Sequence, residues 1–76
     1  MTDLETRVLI QAIKDLDDDN PRERVTAALY FIERRHAKDC DHAEIDSESL
    51  RQRVFEVLKE RGVRRKKMIQ DILKEF

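Results

Sequence analysis

His36, Cys40 and His42 are the residues whose types and spacing bear most directly on chemistry. Side chains four apart share a helix face, so His36 and Cys40 would point the same way on a helix. An imidazole and a thiolate side by side can begin a zinc site, and a Cys/His pair can begin a nucleophile. A closed zinc site needs four ligands, and here the fourth would have to come from Asp39, Asp41, Glu44 or Asp46, at no recognised spacing. A nucleophile needs an oxyanion site and a substrate pocket, and a bundle of 76 residues without a Gly-rich phosphate loop has little room for either. His36 lies on an apolar stripe, where a hydrogen-bonded core histidine is the simpler reading, and Cys40 reads as a small buried hydrophobe. The expectation is a non-enzyme with no metal, cofactor or small-molecule substrate.

Charge is the second feature that could act on a partner. The net charge is −1, but its distribution is uneven. Asp15, Asp17, Asp18 and Asp19 cluster early, while Arg61, Arg64, Arg65, Lys66 and Lys67 cluster late. The late cluster has two readings, a phosphate-neutralising surface or a solvated basic turn that balances the acidic half. For the acidic run, the expected role is to complement the positive end of the next helix. A calcium loop would need spaced oxygen ligands and a glycine, which this run lacks.

Helices are the elements that must position these groups. Charged residues make up 43% of the chain, with one Gly and one Pro, and a turn-rich sheet would need far more of both. The apolar residues recur at helical spacing. Thr2 to Glu5 reads as a capping box, followed by a face of Leu4, Val8, Leu9, Ala12, Ile13 and Leu16, with Ile10 outside it. A second start signal combines Asn20, Pro21 and Glu23. It opens a helix with Val25, Ala28, Leu29, Ile32 and His36 on one side, and the pattern runs to about Ala43. Tyr30 and Phe31 point elsewhere. Asp46 or Ser47 caps a third helix with Leu50, Val54, Phe55, Val57 and Leu58 inward, and Gly62 would end it in the left-handed conformation. A fourth runs from about Arg64, with Met68, Ile69, Ile72, Leu73 and Phe76 inward. The predicted fold is a single all-α domain over residues 1–76, a compact bundle of four short helices with a helix-turn-helix-like centre.

That centre has two candidate frames. In a helix-turn-helix a small residue on the first helix is followed four later by the turn residue. An apolar residue comes next, and a second about five positions on anchors the recognition helix. Cys40, Glu44, Ile45 and Leu50 fit this spacing. The recognition helix would then present Ser47, Glu48, Arg51, Gln52 and Glu56 to bases, with Arg53 and Lys59 nearer phosphates. Asp41, Glu44, Asp46 and Glu48 crowd the same region and would repel phosphate. Leu58, Gly62, Val63 and Met68 give the second frame, whose recognition helix would open on Arg64, Arg65, Lys66 and Lys67. Four cations there oppose the helix dipole by a few tenths of a kcal/mol each.

Residues 28 to 51, ALYFIERRHAKDCDHAEIDSESLR, resemble a family of small phage and prophage helical proteins. These carry a Phe-Ile-like pair, a Cys, then Ala-Gly-Ile-Asp-Pro and a later Arg. Phe31, Ile32, Cys40, Ala43, Ile45, Asp46, Leu50 and Arg51 match, while Glu44 stands for the Gly and Ser47 for the Pro. The resemblance implies a small phage-type protein with a helix-turn-helix-like centre, a regulator or packaging accessory.

These residues support two functions. The first is DNA binding through Arg51, Gln52 and Arg53, with the basic cluster on phosphates. The second is a protein-interaction module, an adaptor or inhibitor that could self-associate, in which Ile10, Tyr30 and Phe31 build an apolar patch. A lone cysteine, a polar acidic N-terminus and the lack of a roughly 20-residue apolar run point to a cytoplasmic protein without membrane contact.

Overall fold

A computed structural model describes residues 4–76. The expected cap at Thr2 lies outside the described residues. Among the described residues five α-helices succeed one another: α1 (Leu4–Asp15), α2 (Pro21–Ile32), α3 (His36–His42), α4 (Ser47–Leu58) and α5 (Gly62–Leu73). Among the described residues there are no strands. The prediction of an all-α fold holds, but four helices become five because the expected second helix breaks after Ile32.

The break is a left-handed turn at Arg34, with φ of 61°. The Arg34 N–H donates to the Phe31 carbonyl at 3.1 Å and the Arg35 N–H donates to the Tyr30 carbonyl at 3.0 Å. This pair of bonds is a Schellman turn, which satisfies carbonyls that a helix end leaves open. The turn swings α3 away from the axis of α2. On one continuous helix Phe31 and His36, five residues apart, would lie about 140° apart. With the break both are buried, their ring centres 5.1 Å apart.

The same device ends α3. Glu44 takes φ of 58°, its N–H donates to Asp41, and the Ile45 N–H donates to the Cys40 carbonyl at 2.9 Å. Asp46 then caps α4, its carboxylate accepting from the Glu48 and Ser49 N–H groups. At α2 the expected Asn20 cap forms, accepting from the Arg22 N–H at 2.9 Å. Asp18 accepts from the Asn20 N–H, at 2.8 Å, in the role expected of Glu23. Gly62 does adopt positive φ, 62°, yet α4 ends four residues earlier at Leu58 and Gly62 opens α5.

One core runs through all five helices: Leu9, Ile13 and Leu16 from α1 and its end, Ala27 and Phe31 from α2, Cys40 from α3, Leu50, Val54 and Val57 from α4, Ile69 and Ile72 from α5. α1 packs on α2, α3 and α5, and α4 packs on the same three. Against the expected α2 face, the core takes Ala27 and Phe31, and leaves Val25, Leu29 and Ile32 outside at 58, 43 and 42% exposure. Phe31, expected off the core, is wholly buried. No helix among the described residues is long and apolar enough to cross a membrane.

Candidate functional site

The α3–α4 segment holds the histidines and the cysteine that could have formed a metal or nucleophile site. His36 is buried, and its Nε2 lies 3.0 Å from the Ser47 carbonyl at the start of α4. That contact ties the first residue of α3 to the first residue of α4. Cys40 is buried as well, and burial followed by the carboxylates of Asp39, Asp41 and Asp46 pushes its thiol up to about 11. A thiol held that high stays protonated near neutral pH and is a poor nucleophile or ligand. His42 is exposed. Among the described residues no three His, Cys, Asp or Glu side chains converge as metal ligands would.

The predicted base-reading residues are differently employed. Arg51 reaches back to the end of α2: its Nε donates to the Phe31 carbonyl at 3.2 Å and Nη2 to the Ile32 carbonyl at 3.3 Å. Its guanidinium also sits 4.5 Å from the centre of the Phe55 ring. A cation over the negative end of a helix and an aromatic face is a stabilising arrangement, so Arg51 is a clamp between α2 and α4. Arg53 pairs with Glu75. Gln52 is exposed, Ser47 is half-buried, and Lys59 pairs with Glu56 at 3.2 Å.

The basic cluster divides in two. Arg65 and Lys66 both bind the Asp17 carboxylate, at 2.8 and 3.1 Å. Burial alone would raise the Asp17 pKa, but the hydrogen bonds from Lys66 and Arg65 outweigh it and hold the carboxyl below its ordinary value. Asp17 was expected to complement the dipole of α2. Instead it fastens the end of α1 to α5, a pairing across 48 residues that no local pattern signals. Arg64 lies 3.8 Å from Glu60, while Arg61 and Lys67 are exposed with no side-chain partner among the described residues.

The two helix-turn-helix frames are not equal in packing. In the first, Cys40 and Leu50 are buried and Ile45 packs against the core. In the second, Met68 packs against the core, but Val63 is 83% exposed and Leu58 is 39% exposed, so the apolar residue after the turn makes no core contact.

The residues expected to build an apolar patch are not exposed together. Ile10 is half-buried, Phe31 is internal, and the Tyr30 hydroxyl donates to Asp39 while its ring meets Phe31 edge-on. Outside stand Val25, Leu29 and Ile32, at positions i, i+4 and i+7 along α2. Arg51, stacked on the half-buried Phe55 ring, borders this stripe through its bond to the Ile32 carbonyl. On the other side of α2, Val8, Ala12, Ala27 and Tyr30 line an open groove against α1. Comparison with protein-family models, curated proteins and solved structures gave no match.

Proposed function

We propose that this chain is a small protein-interaction module that binds its partner through the outward face of α2. One observation carries the reading: three large aliphatic side chains stand outside at helical spacing, on the element that also supplies the most buried aromatic ring. Single exposed apolar residues are ordinary, and three aligned on one helix face offer a small apolar surface that a partner can cover. The charge pattern agrees with this reading in part, because half of the cations assigned to DNA, Arg51, Arg53, Arg65 and Lys66, are engaged within the fold.

A photo-crosslinking amino acid placed at Leu29 in the expressed chain tests this, with the same group at exposed Lys38 as control. A discrete protein adduct from position 29 alone, abolished by Val25→Glu, is the expected result. No adduct of any protein, this chain included, would discard the module.

A second reading, a helix-turn-helix-like DNA-binding or regulatory protein, is favoured by the α3–α4 turn. Its support is the buried small Cys40, the left-handed Glu44 four residues on, and the buried Leu50. The resemblance to small phage-type proteins over residues 28–51 fits this reading too. Amide-shift titration with mixed-sequence duplex DNA tests it. Salt-sensitive shifts confined to 47–53 and 61–67 would sustain it, and their absence at low salt would end it.

A further inference from the structure

We infer that the occupant of the α2 face is a second copy of this chain, with the two α2 helices antiparallel about a two-fold axis near Leu29. The inference rests on the interaction-module reading and names its partner.

The α2 face is self-complementary. At 100° per residue, Arg22 and Glu33 fall on the same flank of the Val25–Leu29–Ile32 stripe, about 20° apart and about 16 Å from each other along the axis. A two-fold axis perpendicular to the helix places this flank of one copy against the same flank of the other. Antiparallel order then sets Arg22 of each copy near Glu33 of its mate, giving two ion pairs by symmetry. Val25 meets Ile32 and Leu29 meets Leu29. The helix macrodipoles oppose one another, which is favourable.

The free chain leaves these charges available. The Arg22 guanidinium has no partner among the described residues, and Glu33 is held only by Arg35 at 3.1 Å in an exposed pair. Such pairs are weak and exchange readily.

Area sets the strength. The three side chains leave on the order of 200 Å² outside per copy, a fraction of the roughly 800 Å² each partner gives to a stable dimer. The dimer is therefore weak and forms only as concentration rises.

Sedimentation equilibrium of the full chain from about 10 µM to 1 mM tests the pairing, a range that brackets weak association. The wild type is expected to shift from monomer toward dimer mass. Leu29→Glu places two carboxylates at the two-fold axis and weakens the dimer at least tenfold, while its circular dichroism stays that of the wild type because the site is exposed. Arg22→Glu and Glu33→Arg each weaken self-association roughly five-fold or more by setting like charges opposite. An equimolar mixture of these two variants restores the dimer, since each supplies the charge that the other lacks.

A wild type that stays monomeric across the range overturns the second copy. If the Leu29 crosslink to another protein persists in that case, the interaction module survives. If neither crosslink nor dimer is seen, both fail. A dimer indifferent to Leu29→Glu and unrestored by the mixture overturns the α2 pairing, with self-association then residing on another face.

Discussion

Replacing Glu44 by glycine is expected to stabilise this chain. Glu44 holds φ of 58° at the turn between α3 and α4, and its side chain is exposed. An L-residue in the left-handed region carries a steric cost of roughly 1–2 kcal/mol. Glycine removes that cost but loses roughly 0.5–1 kcal/mol through the greater freedom of its unfolded chain. The net gain is about 0–1.5 kcal/mol with a centre of about 0.75, which in a domain this small raises Tm by about 3–6 °C at that centre. Thermal unfolding followed by circular dichroism measures it directly. Glu44→Gln and Glu44→Ala remove the charge near Asp41, Asp46 and Glu48 but keep the Cβ, so they separate backbone relief from charge relief. They are expected to change Tm by less than half as much. Equal stabilisation by glutamine and glycine would refute the backbone argument and assign the effect to the carboxylates. A lower Tm for Glu44→Gly would refute the left-handed turn itself.

The core and its clamps lead to two further outcomes. Asp17→Asn is expected to lower stability at pH 7 by about 1 kcal/mol, because it releases Arg65 and Lys66 together. Since the folded state lowers the Asp17 pKa, this contribution is full above the ordinary carboxylate value of 3.8 and is lost as pH falls through the lower folded value. Urea unfolding of both proteins should thus show the gap at pH 7 and its closure in acid, and a gap that persists unchanged at pH 2 would remove the ion pairs as its cause. Cys40 should resist a thiol reagent in native buffer at pH 8 and react fully in denaturant, while rapid native labelling would mean that the core around α3 is open.

How much of this was legible in the chain depends on the range of each interaction. Local signals read well: Asn20 and Asp46 cap α2 and α4 because a short acceptor before a helical run meets N–H groups two or three residues on. Gly62 takes the positive φ that its lack of a Cβ permits. The break at Arg34 had no such marker, since arginine there resembles any solvated helix residue, and an unbroken helix would put Ile32 and His36 on one stripe. The rest of the α2 error stems from it. Val25, Leu29 and Ile32 outnumber Ala27 and Phe31 as an apolar face, yet the left-handed turn lets the Phe31 ring meet His36 inside. Periodicity identifies apolar faces but does not choose between two on one helix. Residue type alone suggested a base reader at Arg51 and a dipole partner at Asp17. Their actual contacts lie 20 and 48 residues away in the chain, beyond any local pattern.

Those long-range contacts also decide how much charge remains for DNA. Neutralising Z phosphates gives a salt slope of about −0.9Z. Among the predicted contacts, Arg51 is engaged by α2 carbonyls, Arg53 by Glu75, and Arg65 and Lys66 by Asp17. Among the described residues Arg61 and Lys67 have no side-chain partner, while Arg64 and Lys59 pair with Glu60 and Glu56. Counting those four as available gives a slope of about −3.6. To recruit Arg65 and Lys66 the chain would have to release the Asp17 carboxylate and loosen α1 from α5. Covering Val25, Leu29 and Ile32 demands no such sacrifice of internal contacts, which is the physical reason to rank the protein partner ahead of the nucleic acid.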